Sequence, residues 1–451
     1  MSHAIVMGGS IAGLCAAAAL ARNFDRVTVL ERDPEPGPEV RRGVPQGHQS
    51  HALLSRGQAI MNELFPDAFA ELACAGAVRS DLGNSMRWFH FGGWKATKRI
   101  GRDIWSQSRA LLEHHLRRSL AHNRKVELRF DAGVEQPIHA KGRVTGVRLR
   151  DGSELHAELV VDATGRGSRS PTWLYRWGYG VVAEQRVRIG LAYVSGIFEP
   201  IGDVPEESLV IHQDAARNIK RGGLYFPHEN GEKIVTLFGY FGEHAPTDLA
   251  GFRKWAKSLA RPDIAEALGN LTLVGELHKY NFPEQFRRCY GLMGRLPEGY
   301  LVIGDAMSSY DPTFASGMTL AALQAEQLAK RARPGQSSVR LQRRLYRMTE
   351  LPFTLTAGEA HRWREATGWR PRMWATQQAL LAKVFEAANH DPVVFAALMK
   401  IMHFLASPAS LLRPRILWRV LARSRPQAAI QRPASPFVGE LASRVASQSG
   451  Y

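Results

Sequence analysis

The sequence predicts an α/β fold: a Rossmann-like domain, an inserted antiparallel-sheet domain and a helical C-terminal region. Three observations support this prediction. A strand–loop–helix–strand pattern opens the chain, β-branched and aromatic runs separated by turn residues fill its middle, and helical periodicity dominates residues 335–425. With 451 residues, of which 45% are apolar, the chain is long enough for two or three packed domains.

The domain boundaries follow from where these patterns change. We expect the Rossmann-like domain to comprise residues 1–80, 105–170 and 291–335. The inserted sheet domain is expected at 81–104 and 171–290, and the helical region with its tail at 336–451.

The first thirty residues carry a dinucleotide-binding fingerprint. A buried-strand pattern at 3–7 leads into Gly8-Gly9-Ser10-Ile11-Ala12-Gly13, an alanine-rich helix, and a second strand ending at Glu31. Gly8 permits the tight turn, and Gly13 lets the helix pack closely on the sheet. The helix N-terminus offers N–H groups to a pyrophosphate. Glu31 can accept hydrogen bonds from ribose hydroxyls, which argues against a 2′-phosphate and so against NADP here.

One position departs from the fingerprint. Ser10 replaces the middle glycine, and its Cβ narrows the approach to a phosphate. A serine is small enough to fit there, and its hydroxyl is a candidate donor to the phosphate.

Two further segments distinguish FAD from NAD. Residues 158–170 read as a buried strand followed by a Gly/Ser-rich loop. Residues 300–326 read as a strand delivering Asp305, a loop, and a long helix opening at Gly317. This second helix N-terminus suits another negative or polar group. FAD is long enough to need such a second contact region, so the sequence favours FAD.

These motifs resemble a known family. "GGSIAGL…ER", "VVDATGRGSRS" and "LVIGDAMSSYDPTFASGMTLAALQA" are similar to the three flavin motifs of FAD-dependent monooxygenases of the aromatic-hydroxylase type, also called class A. "RRGVPQGHQSHALLSRGQ" and "SRALLEHHLR" most resemble bacterial epoxidases and hydroxylases of secondary metabolism.

The resemblance assigns cofactor contacts residue by residue. It implies that the AMP half of FAD is held by Gly8, Ser10, Ile11, Ala12, Gly13, Glu31 and Arg32. It further implies that Arg42 and Arg109 lie along the cofactor, that Val134 contacts the adenine, that Asp305 binds the ribityl chain or pyrophosphate, and that Gly317 and Met318 bind the isoalloxazine. Apart from the resemblance, Arg109 begins a helix pattern, and its guanidinium can donate two hydrogen bonds to a phosphate.

The implied reaction inserts one oxygen atom of O2 into a hydrophobic substrate through a flavin C4a-hydroperoxide, by hydroxylation or epoxidation. NAD(P)H would act as a transient reductant, or a separate flavin reductase would deliver electrons. No catalytic residue is predicted, because the cofactor carries the difficult step.

Other reaction classes remain open. An FAD-dependent reductase saturating alkene or prenyl-chain double bonds would use the same motifs, and a non-catalytic flavoprotein is a third reading. A flavin-dependent halogenase is disfavoured, because the chain has no Trp-x-Trp and no lysine in 75–94.

Asp311 occupies a position near the flavin where an amide is commoner in the resembling subgroup. A turn or helix-capping role is at least as well supported as catalysis. Candidates to line an apolar cavity are Trp88, Phe89, Phe91, Trp94, Tyr225, Phe226, Phe238, Tyr240 and Phe241. His48 and His51 lie in the resembling segment near FAD, whereas His114 and His115 are expected on a surface helix. No metal-ligand spacing occurs among the histidines.

The net charge of +17 calls for an explanation. No nucleic-acid-binding module is recognisable, so nucleic acid is not an expected partner. Residues 392–439 carry seven Lys/Arg and no Asp/Glu. This basic segment is either a lid packed on the flavin domain or a face for an anionic membrane surface or acidic carrier protein.

The chain is expected in the cytoplasm, with peripheral membrane association as an alternative. It shows no signal-peptide pattern and no apolar run of spanning length. Cys15, Cys74 and Cys289 are widely separated, which suits a reducing compartment and argues against a disulfide framework or zinc site.

Overall fold

The computed structural model describes residues 1–41, 43–211 and 219–423. The strands are β1 His3–Met7, β2 Arg26–Leu30, β3 Val78–Asp81, β4 Met86–His90, β5 Gly93–Trp94, β6 Asp103–Ser106, β7 Val126–Arg129, β8 Val134–Ala140, β9 Arg143–Leu149, β10 Glu154–His156, β11 Leu159–Asp162, β12 Glu184–Pro200, β13 Ser208–Ile211, β14 Arg221–Pro227, β15 Lys233–Gly239, β16 Leu271–Arg288, β17 Tyr300–Val302, β18 Ser308–Ser309 and β19 Thr367–Gly368.

The α-helices surround these strands. They are α1 Ile11–Leu20, α2 Ser55–Leu64, α3 Ala68–Cys74, α4 Arg109–Ala121, α5 Ser170–Arg176, α6 Leu249–Ala256, α7 Asp263–Gly269, α8 Ser316–Arg331, α9 Ser338–Met348, α10 Glu350–Ala360, α11 Trp374–Ala387, α12 Pro392–Met402 and α13 Pro414–Arg423.

A five-stranded parallel sheet forms the Rossmann-like part, in the order β17-β11-β1-β2-β7. Its central strands are apolar on both faces, as a parallel sheet covered by helices requires. The small side chains of α1 are buried, and this helix packs against α8. A three-stranded antiparallel sheet, β10-β9-β8, lies beside β11.

A nine-stranded, mostly antiparallel sheet forms the second part. Its order is β18-β16-β12-β15-β14-β13-β4-β5, and β19 adds to β12. Only the β13–β4 pair among these described strands is parallel. The two sheets and the C-terminal helices confirm the predicted fold class.

The longest strand, β16, was not predicted. It pairs with β12 along most of its length, but register shifts interrupt the ladder between Arg188 and Leu191 and between Ser195 and Ile197. Such irregularities displace side chains from strict alternation, so the two-residue period that identifies a strand is lost.

The C-terminal helices α11, α12 and α13 pack mainly on the nine-stranded sheet. Their apolar residues share a core with Leu82, Trp88 and Val210. These side chains belong to the nine-stranded sheet and the segment preceding β4. The end of α12 also reaches the Rossmann-like part, because the Ser55 N–H donates to His403, and the lid stays a prediction. The Lys95 ammonium helps to fix this arrangement, because it donates to the carbonyl of Phe385 at 3.0 Å.

The outer side of α13 is partly apolar and basic. Trp418 is 68% exposed, whereas Arg419 binds the buried Asp391 at 2.7 Å. Residues 424–439 of the basic segment lie outside the described residues, and docking to a membrane or carrier stays a prediction. Within the described ranges, no helix combines the length and apolarity needed to cross a bilayer.

Candidate functional site

A cavity of about 640 Å³ lies where the two sheets meet. The carboxyl ends of β1, β2, β11 and β17 open onto it through Gly8, Glu31, Ala163 and Gly304. Ligands of parallel α/β sheets bind at this edge of the sheet. Residues from β12, β14, β15 and β16 form another wall of the same cavity.

The first strand-to-helix junction connects β1 to α1. Gly8 has φ +103°, a conformation that glycine adopts readily. A Cβ at Gly13 would lie 1.8 Å from the carbonyl oxygen of Gly8, so only glycine allows α1 to approach the turn. Ser10, Ile11 and Ala12 at the start of α1 line the cavity.

The hydroxyl of Ser10 is occupied within the protein. It donates to Oε1 of Glu113 at 2.7 Å, and it accepts from the Arg109 guanidinium at 2.9 Å. The hydroxyl thus ties α1 to α4, which differs from the donor role towards a phosphate considered above.

Glu113 is the centre of a buried ionic cluster. Its carboxylate contacts Arg109 at 3.0 Å, Arg41 at 3.2 Å and Arg117 at 3.4 Å. Burial opposes ionisation, but the charges of Arg109 and Arg41 hold the pKa of Glu113 below its usual value. Sequence reasoning missed this residue, although the four-residue spacing of 109, 113 and 117 places all three side chains on one helix face.

Glu31 lies at the opposite side of this cluster. Its Oε2 accepts from the Gly9 N–H at 2.8 Å and from Arg41 at 3.0 Å, while Oε1 accepts from the Asp33 N–H at 3.1 Å. Although burial raises it, these N–H groups and Arg41 hold the pKa of Glu31 below its usual value. Arg32 also lines the cavity, with its side chain 64% exposed.

The predicted Arg42 lies outside the described residues. Its neighbour Arg41 is buried and joins Glu31 to Glu113. Two adjacent arginines in a sequence give no periodicity to indicate that Arg41 points inward, so the contribution of Arg41 was not foreseen.

The second junction connects β17 to α8. Ala315 has φ +51° and precedes the first helical residue, Ser316. A Cβ at Gly317 would meet no atom nearer than Oδ1 of Asp305 at 4.0 Å, so the space beside Gly317 is open. The Ser316 hydroxyl is enclosed without a hydrogen-bond partner among the described residues.

Asp305 lies between this junction and an arginine. Burial raises the pKa of Asp305, and the charges of Arg166 and Arg109 oppose that rise. The Ser309 hydroxyl connects the two groups, because it donates to Asp305 at 3.2 Å and accepts from Arg166 at 2.7 Å.

Comparison with known proteins identifies the family. Residues 4–171 match the family model "FAD dependent oxidoreductase". Protein Rv3254 of Mycobacterium tuberculosis is 33% identical over 415 residues, covering 87% of each chain.

The chain belongs to the FAD-dependent oxidoreductases.

Other relatives of this flavoprotein match over shorter stretches. The digeranylgeranylglycerophospholipid reductase of Haloferax volcanii is 24% identical and covers 43% of this chain and 46% of its own. The FAD-dependent monooxygenase atnA of Arthrinium sp is 30% identical and covers 43% of this chain and 27% of its own.

Solved structures share the fold of the flavoprotein. A flavoprotein/dehydrogenase from Cytophaga hutchinsonii has a TM-score of 0.65 at 16% identity, covering 94% of this chain and 98% of its own. PqsL, a probable FAD-dependent monooxygenase from Pseudomonas aeruginosa, has a TM-score of 0.57 at 17% identity. The match covers 88% of this chain and 100% of PqsL. The flavin-dependent brominase Bmp2 has a TM-score of 0.57 at 16% identity. The match covers 99% of this chain and 100% of Bmp2.

The cavity of the flavoprotein fits FAD. Open space beside Gly317 and the unpaired Ser316 hydroxyl mark one end, and the Glu31 carboxylate marks the other. Of the predicted contact residues, Gly8, Ser10, Ile11, Ala12, Glu31, Arg32, Arg109, Val134, Asp305, Gly317 and Met318 line this one cavity. Gly13 instead acts behind the wall, by allowing α1 to pack against the turn.

Part of the cavity lining is apolar and comes from the nine-stranded sheet, the segment before β4, and α12. We call this part the apolar compartment; it includes Leu82, Met86, Trp88, Val210, Leu224, Phe226, Met399 and Met402. Of the predicted aromatic residues, Trp88 and Phe226 line it. The others lie elsewhere: Phe89, Phe91, Trp94, Tyr225, Phe238, Tyr240 and Phe241. Tyr193, Tyr280 and Phe282 line the cavity but were not predicted.

Asp311 is buried near the flavin-facing loop. It accepts from the Tyr240 hydroxyl at 2.7 Å and from the N–H and hydroxyl of Thr313 at 2.9 and 2.7 Å. Burial raises the pKa of Asp311 against these hydrogen bonds. These contacts match the capping interpretation of Asp311.

The histidines differ in environment. His51 lines the cavity, and burial together with Arg109 lowers its pKa to about 4. His48 stacks on His278 at 3.9 Å between ring centroids. The expectation of a surface position was wrong for His115, which is buried and hydrogen-bonded to Glu71 at 2.8 Å.

Proposed function

We propose that this flavoprotein transfers one oxygen atom of dioxygen to a hydrophobic secondary metabolite, by hydroxylation or epoxidation. The observation that supports the proposal is the continuity of the cavity, in which the N-terminal end of α8 adjoins an apolar compartment. Bound, reduced FAD supplies the activation of dioxygen. The chain itself has to bind, orient and shield the reactants.

The N-terminal end of α8 provides electrostatic stabilisation. The free N–H groups near Gly317 and Met318, together with the helix dipole, favour negative charge beside them. The unpaired Ser316 hydroxyl adds a polar contact. We expect these groups to hold the electron-rich edge of the cofactor.

The walls of the apolar compartment exclude water. Trp88 and Phe226 contribute rings, and Met399 and Met402 contribute flexible side chains from α12. A dry environment protects activated oxygen from release as hydrogen peroxide. The buried Tyr193 hydroxyl has no hydrogen-bond partner among the described residues.

The environments of the titratable side chains in the cavity do not favour any of them as a catalytic base. His51 is neutral near pH 7 because its pKa is lowered to about 4. Among the carboxyl groups that line the cavity, Glu31 is engaged by Arg41 and Asp305 by the Ser309 hydroxyl. Asp311 is engaged by Tyr240 and Thr313. We therefore propose that binding and shielding, rather than side-chain proton transfer, are the work of this chain.

We further propose NADH or NADPH as a transient reductant, with a separate flavin reductase as the alternative source of electrons. The chain carries a single dinucleotide fingerprint, which FAD would occupy. A nicotinamide would then approach from the mouth of the cavity without a Rossmann unit of its own.

The test uses the FAD-loaded protein and an aryl alkene. The protein is incubated with 2-isopropenylnaphthalene, NADH or NADPH, and isotopically labelled dioxygen, and the products are analysed by mass spectrometry. We expect a product that gains one labelled oxygen atom. A protein that retains no flavin would contradict the proposal.

A reductase is the second candidate. It is supported by the partial similarity to the Haloferax volcanii enzyme, whose name describes a reductase of a lipid. The shared fold does not choose between these reactions, since structures of this fold include a brominase. A product that gains two hydrogen atoms and no label would favour reduction.

A further inference from the structure

One wall of the apolar compartment carries a histidine held in a single tautomer. His403 follows α12, is 7% exposed and lines the cavity. The backbone N–H of Ser55 donates to its Nδ1 at 3.1 Å. A backbone N–H can only donate, so Nδ1 carries a lone pair, and the proton of the neutral ring is on Nε2.

The second ring nitrogen is available to a ligand. Nε2 of His403 makes no hydrogen bond to the described residues and is not sealed among them. Burial lowers the pKa of His403 to about 3, so the ring is neutral at physiological pH. The side chain therefore presents a fixed, uncharged donor to the compartment.

The position of this donor is set relative to the flavin end of the cavity. Ser55 begins α2, and two residues later a Cβ at Gly57 would lie 2.5 Å from Oγ1 of Thr319 in α8. Arg56 also binds Glu326 of α8 at 2.8 Å. Because α2 packs directly on α8, a group bound to His403 has a fixed position relative to the N-terminus of α8.

The other enclosed histidine of the cavity has the opposite tautomer. Nδ1 of His51 lies 2.8 Å from the carbonyl oxygen of Gln49, which can only accept, so Nδ1 carries the proton. Its Nε2 lone pair then faces the Arg109 guanidinium at 3.5 Å. Of these two rings, His403 is the one that offers a donor.

We propose that His403 selects hydrophobic substrates that carry a neutral acceptor oxygen, such as a ketone, quinone or ether, and orients them towards α8. This inference rests on the proposed function. A neutral donor brings no charge to balance a carboxylate, and the adjacent Met399 and Met402 side chains are apolar. His403 is thus a positioning residue for the substrate.

Calorimetric titration of the oxidised, FAD-loaded protein tests the proposal. The probes are 2-acetylnaphthalene and 2-isopropenylnaphthalene, which share shape and heavy-atom count but differ in the acceptor oxygen. One neutral hydrogen bond predicts that the wild-type protein binds the ketone about five- to tenfold more tightly.

Two substitutions at His403 distinguish the loss of the hydrogen-bond donor from a loss of folding. His403→Asn keeps an acceptor for the Ser55 N–H but loses the distal donor, so the preference for the ketone should disappear. His403→Gln places an amide N–H near the position of Nε2 and should restore part of it. Met402→Leu is the control from the same wall, and it should keep the preference.

The outcomes are distinguishable. Equal binding of both probes by the wild-type protein, or a preference retained in His403→Asn, overturns the role of His403. Failure of the wild-type protein to bind either probe overturns the proposed function and this inference with it. Nitrogen NMR of labelled histidines gives an independent readout, in which a proton on Nδ1 of His403 contradicts the assignment and His51 serves as the opposite reference.

Discussion

Ser10 donates its hydroxyl to Glu113 at 2.7 Å and so joins the first strand-to-helix junction to α4. The departure from the glycine fingerprint therefore has a structural partner 103 residues away. Arg109 and Arg41 surround the same carboxylate. A charge that is buried, paired and hydrogen-bonded in this way makes the folded site dependent on Glu113.

Replacing Glu113 by Gln should lower the free energy of unfolding by about 3–5 kcal/mol, because three arginines lose their buried counter-charge. The folded pKa of Glu113 is depressed, so its contribution is present above the unfolded value of about 4.3 and is lost as the pH falls towards the folded value. Urea unfolding at neutral and acid pH checks both expectations.

The matched control is Glu154→Gln. Glu154 pairs with Arg148 at the surface, with side chains 37% and 44% exposed, so a change within about 1 kcal/mol is expected. If Glu113→Gln and Glu154→Gln unfold alike, the buried cluster does not stabilise the site.

Gly13→Ala should displace α1 and weaken FAD retention. The added Cβ would lie 1.8 Å from the carbonyl oxygen of Gly8, a backbone atom that cannot move aside cheaply. We expect a loss of about 2–4 kcal/mol in unfolding free energy and a lower flavin absorbance after gel filtration. Gly269→Ala is the control, since its Cβ would meet nothing within 4 Å. Full flavin content in Gly13→Ala would refute the packing argument.

The sequence alone predicted the elements that local patterns define. Buried strands followed by glycine turns located both junctions, because their geometry depends on adjacent residues. Glu113 was within reach through its four-residue spacing from Arg109. The role of His403 could not be predicted from the sequence, because its tautomer depends on Ser55, which lies 348 residues away. Long-range contacts of this kind have no local signal, and the same holds for β16, whose irregular pairing hides its alternation.

Asp311→Asn should change the pH dependence of stability. Burial raises the folded pKa of Asp311 above its unfolded value of about 3.9. The folded state then binds its proton more tightly, so the contribution is present below the unfolded value and is lost as the pH rises through the folded value. The variant lacks this loss, and its unfolding free energy should fall less than that of the wild type between pH 4 and 7.

Asp203→Asn, at an exposed position, should leave that dependence unchanged. Because the Asp311 side chain caps the turn at Thr313, Asp311→Asn should also retain FAD. Loss of turnover with full flavin content and normal stability would instead indicate a catalytic carboxylate.

His403→Asn should make the protein less sensitive to acid. The folded pKa of His403 is about 3, whereas an unfolded histidine titrates near 6.5. Between these values the unfolded chain binds a proton that the folded chain refuses, so stability falls as the pH drops below about 6.5. At pH 5 this linkage lowers the free energy of unfolding by about 2 kcal/mol.

Denaturant unfolding at pH 8 and pH 5 should therefore show a smaller loss of unfolding free energy at acid pH in His403→Asn than in the wild type. His122→Asn, at an exposed position, should behave like the wild type, and an equal acid loss in all three proteins would mean that the His403 ring takes up its proton in the folded state.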